Sequence, residues 1–349
     1  VSRLFGWDIG GVHLKTAMLD VHRRRPRILW RLSSFEIWRG RQALADRVRR
    51  MEHRFSSGGI RPEADAWHAV TMTAELSDVF PNRDVGVRFV LSACRRALGP
   101  RVLVLDHAGR LVALRTARRS PRRVAAANWM ASATVAARAL RDEGLFIDVG
   151  STTTDIVPLA RGVAVPRGRT DFGRLASREL VYTGLLRTPP AALTDRVPVG
   201  GAWLRPAPEH FAIMADVWLL LGRLSAAGYT VPTPDGRGRT RAACAARLAR
   251  VVCAEPREIG ADGIMKVARY LARRQVDVVA DAVRAVCARV PAAQVAIVAG
   301  SGAFLAAAAA RRAGLRVRAM EELIPGYGKG WGHVAPAASL ALLLEEKKG

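Results

Sequence analysis

LFIDVGSTTTDIVPL, residues 145–159, decides the fold. An apolar run ends in Asp148, a glycine follows at 150, and four hydroxyl residues, Ser151, Thr152, Thr153 and Thr154, lead to Asp155 and a second apolar run. LFGWDIGGVHLKTAMLD, residues 4–20, has the same grammar: an apolar strand, Asp8, the pair Gly10 and Gly11, and an apolar strand that carries Lys15. Glycines let a hairpin backbone approach a phosphate closely, and its N–H groups and neighbouring hydroxyls donate hydrogen bonds to it. A bare aspartate repels that phosphate, and a divalent cation between the two resolves the conflict. Asp8 and Asp148 are therefore the candidate metal-organising carboxylates, with a turn aspartate that satisfies backbone N–H groups as the other reading of each, and Mg2+ is the expected ion. A third element, VAIVAGSGAFLAAAAAR at 295–311, reads as a buried strand, a turn through Gly300, Ser301 and Gly302, and an Ala-rich helix. A strand, Gly-rich turn and helix in that order present backbone N–H groups to an anion or nucleotide.

Around these three elements strands alternate with helices, which implies an α/β architecture. RPRILWRLSSF reads as a third strand, RQALADRVRRMEHRF as an amphipathic helix, AWHAVTMTAEL as a strand running into a polar turn, and VGVRFVLSACRRAL as a helix. RVLVLD and EGLFIDVG are further strands, with the helix AAANWMASATVAARAL between them. The stretch 187–208, rich in Pro and Gly, reads as a loop or flap. Most of 209–292 is helical, interrupted by VPTPDGRGRT.

Half of the 349 residues are hydrophobic, enough for a well-buried core and two domains. No window reaches the roughly 18 apolar residues of a membrane span, and the first residues lack the pattern of a secretory leader, so a cytoplasmic protein without a membrane partner is expected. Cys94, Cys244, Cys253 and Cys287 are too scattered for a disulfide framework or a zinc site. The 55 basic residues exceed the 30 acidic ones by 25, and only five of them are Lys. That excess is spread along helices and lacks interleaved aromatics, which argues against a nucleic-acid partner and leaves a solvated surface or an anionic small substrate.

Two acidic glycine hairpins about 140 residues apart, followed by the strand, GSG turn and helix, resemble the acetate and sugar kinase, heat-shock ATPase and actin superfamily. That resemblance implies a two-domain actin-like, ribonuclease H-like ATPase fold with a central interdomain cleft. The first domain is expected at residues 1–127 plus 335–349 and the second at 128–334, with NWMASATVAARA linking them and APAASLALLLEE returning to the first. DIGG, TMTAELSD, IDVGSTTTDI, VYTG and GSGAFL resemble the hydantoinase and oxoprolinase-like branch. Together with GWDIGGVHLK, TMTAELSDVF, NWMASA, YTGLLRTP and VPTPDGRGRT, they are similar to a group linked to tetrahydromethanopterin-dependent one-carbon transfer, which includes a methanofuran ether synthase. The resemblance implies attack of a phenolic amine, tyramine or its glutamyl derivative, on a furanylmethyl diphosphate, with diphosphate leaving.

On that reading Asp8, Lys15, Glu75 and Asp78 are the catalytic candidates. Lys15 departs from the common superfamily hairpin; facing the cleft it pairs with diphosphate, facing solvent it is an ordinary strand lysine. Glu75 and Asp78 are the candidate bases for the phenol, with metal binding or helix capping as their other role. Gly10, Gly11, Gly150, Ser151, Thr152, Thr153, Gly300, Ser301 and Gly302 are the candidate diphosphate-binding residues. His13 and Lys329 are lesser candidates, and Asn128 and Trp129 are expected to support the linking helix. Two other classes stay open: an ATP-dependent kinase or ATPase of the same fold, and a non-catalytic module in which a ligand only changes domain closure.

Overall fold

The structure is a computed structural model that describes residues 3–21, 26–55 and 66–348. Its first sheet is built from β1 (Leu4–Ile9), β2 (His13–Asp20), β3 (Arg27–Ser34), β4 (Trp67–Met72), β5 (Val102–Leu105) and β6 (Leu111–Ala113), in the order β3-β2-β1-β4-β5-β6. Arg25, the first residue of the stretch expected to form β3, lies outside the described residues. The pair β1–β2 is antiparallel and β1–β4–β5 is parallel. The second sheet contains β7 (Gly144–Val149), β8 (Thr154–Ala160), β9 (Val163–Ala164) and β10 (Leu180–Val181), and, after a separate hairpin of β11 (Val197–Val199) and β12 (Ala202–Leu204), β13 (Val295–Ala299) and β14 (Arg316–Ala319). Its order is β10-β8-β7-β13-β14, again an antiparallel hairpin continued by two parallel strands. The two sheets thus repeat one topology, and the acidic glycine turns occupy equivalent corners of it.

The central strands are buried on both faces, as near-continuous apolar runs such as LFIDV require. The helix Ala335–Lys348 is buried around its whole circumference from Ala335 to Leu344. It packs on β1, β2, β4 and the helix Asn128–Leu140. Gly6 in β1 permits that approach, because a Cβ there would lie 1.8 Å from the carbonyl oxygen of Ala337. The helix Asn128–Leu140 in turn packs on β7, β8 and β9, so it touches the second sheet as well as the C-terminal helix.

Two stretches differ from the expectation drawn from sequence. Residues 187–208, read as a loop, contain the β11–β12 hairpin, whose tight turn is Gly200 and Gly201 at φ +57° and +86°. Two successive positive φ values are the signature of a two-residue hairpin turn, which glycine adopts without strain. The long helix Pro256–Cys287 is broken at Gly260, which has φ +72°. No helix among the described residues is long and apolar enough to cross a membrane.

Candidate active site

Both hairpins close the same way. The Gly10 N–H donates to the His13 carbonyl at 3.0 Å and the Gly150 N–H to the Thr153 carbonyl at 2.9 Å, each three residues on. In both turns the aspartate stands two residues before that glycine. Register then makes the decisive comparison: Asp8 faces Lys15 across β1–β2, whereas Asp148 faces Asp155 across β7–β8. Lys15 holds in the first hairpin the position that Asp155 holds in the second. Directly opposed strand residues interact, so the first pair is attractive and the second repulsive.

The Lys15 side chain faces the cleft, and its Nζ lies 3.1 Å from Asp8 Oδ2. Burial opposes its charge, but Asp8, Asp148 and Asp155 outweigh that and hold its pKa above the ordinary lysine value. Asp148 is pushed up to about 7, chiefly by burial and further by Asp155 and Asp8, with Lys15 opposing. A second cation balances Asp155: Arg174, only 1% exposed, donates to Asp155 Oδ1 at 2.8 Å and to the Glu179 carbonyl at 2.9 Å. Its guanidinium lies 4.0 Å from the ring centre of Trp129, a cation–π contact made stronger by burial.

These residues line a cleft of about 820 Å³. Its floor carries Asp8, Lys15, Asp148, Gly150, Ser151, Thr152, Thr153 and Asp155. Its rim is apolar, with Trp38, Leu76, Leu175 and Tyr182 39%, 41%, 45% and 69% exposed. A floor of three carboxylates and one ammonium beside hydroxyl donors admits an anionic head only together with a further cation, and the apolar rim suits aromatic rings. The segment 183–187 braces the second hairpin: Leu185 N–H donates to the Gly150 carbonyl and Leu186 and Arg187 N–H to the Ser151 carbonyl. Gly184 is required there, since a Cβ would lie 2.6 Å from the Thr152 backbone.

Of the candidates named from sequence, Asp8, Gly10, Gly11, Lys15, Asp78, Asp148, Gly150, Ser151, Thr152 and Thr153 all line the cleft. Two expectations are corrected, and Lys329 takes the other reading open to it, that of a solvated loop lysine. Glu75 is 1% exposed and does not line it. Its Oε1 accepts from the Ala126 N–H at 2.6 Å and Oε2 has no partner, so burial pushes its pKa up to about 7. The contact clamps Ala126 at φ +48°, and the Ala126 carbonyl accepts from Trp129 Nε1 at 2.8 Å. Glu75 therefore positions Trp129, and through it Arg174, instead of meeting a ligand. Gly300, Ser301 and Gly302 are likewise absent from the lining. The Gly300 N–H is taken by the Gly332 carbonyl and the Gly302 N–H by the Val149 carbonyl, which leaves neither for an anion. Gly300 is instead the floor beneath Asp148: a Cβ at its φ of +88° would lie 2.1 Å from Asp148 Oδ1. Lys329 is exposed and outside the cleft, in a loop whose Tyr327 carbonyl accepts from Ile28 of β3.

His13 lies in the cleft wall with Nε2 2.9 Å from Thr230 Oγ1. Burial, with Lys15 adding to it, lowers its pKa to about 4, so the ring is neutral at pH 7 and ties the first hairpin to the helical region. Arg174, Asp171, Tyr182 and Arg187 were not singled out from sequence. Tyr182 and Arg187 nevertheless lie inside the VYTG and YTGLLRTP stretches that carry the family resemblance, whereas Asp171 and Arg174 lie in no stretch that the sequence marked.

For Mg2+ the donors fit. Asp8 Oδ1 is buried without a hydrogen-bond partner, and Asp148 lines the same floor. No group of three or more His, Cys, Asp or Glu among the described residues is placed to hold a metal ion by itself, and Mg2+ commonly uses one or two carboxylates with water and substrate phosphate.

Fold and site define a two-domain actin-like α/β protein whose paired acidic glycine hairpins meet in a central cleft. Within that class the chain belongs to the hydantoinase/oxoprolinase family, which matches residues 67–346. It is 29% identical over 286 residues, 82% of each chain, to the (4-{4-[2-(gamma-L-glutamylamino)ethyl]phenoxymethyl}furan-2-yl)methanamine synthase of Methanocaldococcus jannaschii. It is 32% identical to the synthase of the same name from Methanococcus vannielii over 142 residues, which are 41% of this chain and 64% of that one. Among solved structures, the nucleotide-free form of acetone carboxylase superposes with a TM-score of 0.57 over 97% of this chain and 70% of that chain, at 11% identity. That likeness is one of fold.

Proposed function

We propose that the protein is the ether-forming transferase of a furan cofactor pathway that serves tetrahydromethanopterin-linked one-carbon metabolism. The phenol oxygen of tyramine or γ-glutamyl-tyramine attacks the methylene carbon of (aminomethyl)furanylmethyl diphosphate. The carbon–oxygen bond to diphosphate breaks, an aryl ether forms, and the phenol proton is released. The observation that carries this reading is the match, over 82% of the chain, to a synthase named for such a phenoxymethylfuran. A cleft with a charged floor and an aromatic rim supports it.

In this mechanism the Lys15 ammonium and the hydroxyls of Ser151, Thr152 and Thr153 bind the diphosphate oxygens. They offset the charge that grows on the leaving group as the bond breaks. Asp8 and Asp148 would hold Mg2+, which supplies further neutralisation of that charge. Arg174 keeps Asp155 paired so that its charge does not repel the anion. Trp38, Leu76, Leu175 and Tyr182 bury the furan and phenol rings and exclude water, which would otherwise compete with the phenol for the carbon. Asp78, exposed at the cleft edge, accepts the phenol proton.

The test is to incubate the protein and Mg2+ with the furanylmethyl diphosphate and each phenolic amine, and to measure ether by mass spectrometry alongside released diphosphate. Equimolar ether and diphosphate, lost in a folded Asp8→Ala variant, is the expected result. Magnesium-dependent phosphate release from ATP without ether would overturn the reading in favour of an ATPase.

A further inference from the structure

A second cavity of about 620 Å³ lies beside the cleft and shares Ala126 and Asp171 with it. It runs between the start of the helix Arg83–Leu98 and the turn at residues 170–172. Unlike the cleft floor, its charge of both signs lies on the walls: Arg83, Arg88 and Arg122 face Asp84 and Asp171. The two ion pairs across it, Arg83–Asp171 and Arg122–Asp84, are each 3.5 Å long, and both arginines are exposed. Such pairs hold little free energy and exchange readily for a better-placed ligand. Arg88 is exposed and has no acidic partner among the described residues. Phe172, 83% exposed, adds an apolar wall that the protein itself does not cover.

We propose that this groove receives the free α-amino acid end of a γ-glutamylated phenolic acceptor and so sets the preference for that acceptor over bare tyramine. The inference rests on the ether-synthase reading. A γ-linked glutamyl group leaves an α-carboxylate and an α-ammonium on one carbon, and it recognises a cation and an anion placed side by side. The Arg83–Asp171 pair offers both, and Arg88 adds a guanidinium whose planar fork matches a carboxylate. The methylenes of the glutamyl linker lie along Phe172. Because Asp171 and Ala126 border both spaces, a single elongated acceptor occupies the two at once, with its phenol in the cleft and its charged end in the groove.

The experiment compares kcat/KM for γ-glutamyl-tyramine and for tyramine in the wild-type protein and in Arg88→Gln and Arg83→Gln. The ratio of the two specificity constants is expected to favour γ-glutamyl-tyramine in the wild type and to fall about tenfold or more in each variant, the loss of one charge-assisted hydrogen bond. Arg88 is on the surface, so its replacement does not threaten folding. A γ-glutamyl-tyramine whose α-carboxylate is capped as an amide provides a second measurement without mutation, and wild-type protein should use it about tenfold or more less well than the uncapped acceptor. Equal use of the capped and uncapped acceptors, or an unaltered ratio in both variants while ether still forms, overturns the groove assignment alone. Absence of ether from every acceptor overturns the synthase reading and the assignment with it.

Discussion

Replacing Glu75 by Gln tests whether this buried carboxyl is a positioning group. Glu75 has pKa 4.5 when unfolded and about 7 in the folded protein, because burial leaves its Oε2 without a partner. Between these values the folded state binds the extra proton, so stability falls as pH rises through that window and the full penalty is present above pH 7. The gap of 2.5 units, at roughly 1.36 kcal/mol each, amounts to about 3 kcal/mol. The amide of Glu75→Gln would keep the oxygen that accepts from Ala126 and would not titrate. Urea unfolding of both proteins at about pH 5 and about pH 8 should therefore show the variant gaining about 2–3 kcal/mol on the wild type between the two conditions. An offset equal at both pH values would refute the reasoning, since it would mean that Glu75 ionises like a solvated carboxyl. Activity in the variant should persist, because a base in direct contact with substrate would be lost while a hydrogen-bond acceptor for Ala126 is retained.

Lys15→Met leaves Asp8, Asp148 and Asp155 without their shared cation, and calorimetric diphosphate binding in the presence of Mg2+ should weaken at least about tenfold. Arg247→Met strands Asp216, both residues being fully buried and 2.7 Å apart, and should cost about 3–5 kcal/mol in denaturant unfolding. Gly6→Ala forces a methyl to within 1.8 Å of the Ala337 carbonyl, and its unfolding free energy should drop by about 3 kcal/mol or more. An unaltered melting temperature would show that the C-terminal helix can move off β1.

The sequence made the two hairpins readable because their turn chemistry is local: an Asp, a Gly two residues later, and a backbone closure three residues after that, all within one short stretch. The GSG turn was equally local in appearance, yet the N–H groups of Gly300 and Gly302 are taken by Gly332 and Val149, both from other segments of the chain, and no pattern of spacing reveals a tertiary acceptor. Glu75 fails for the same reason, its partner Ala126 standing 51 residues on. Arg174, Asp171 and Arg187 come from a stretch whose helix is six residues long and whose strand, β10, is two, too short for periodicity to register. What places that stretch is the close packing of Gly184 on Thr152, a contact that exists only once both segments are folded. The comparison of the two hairpins nevertheless carries further than either alone. Once the strands are paired in register, Lys15 and Asp155 occupy one position in two copies of one motif with opposite charge. A symmetric pair of acidic sites would need outside cations for both hairpins. Here the first hairpin brings its own, and Arg174 brings the second, so two of the floor's three carboxylates, Asp8 and Asp155, have a fixed cation beside them and Asp148 has none of its own.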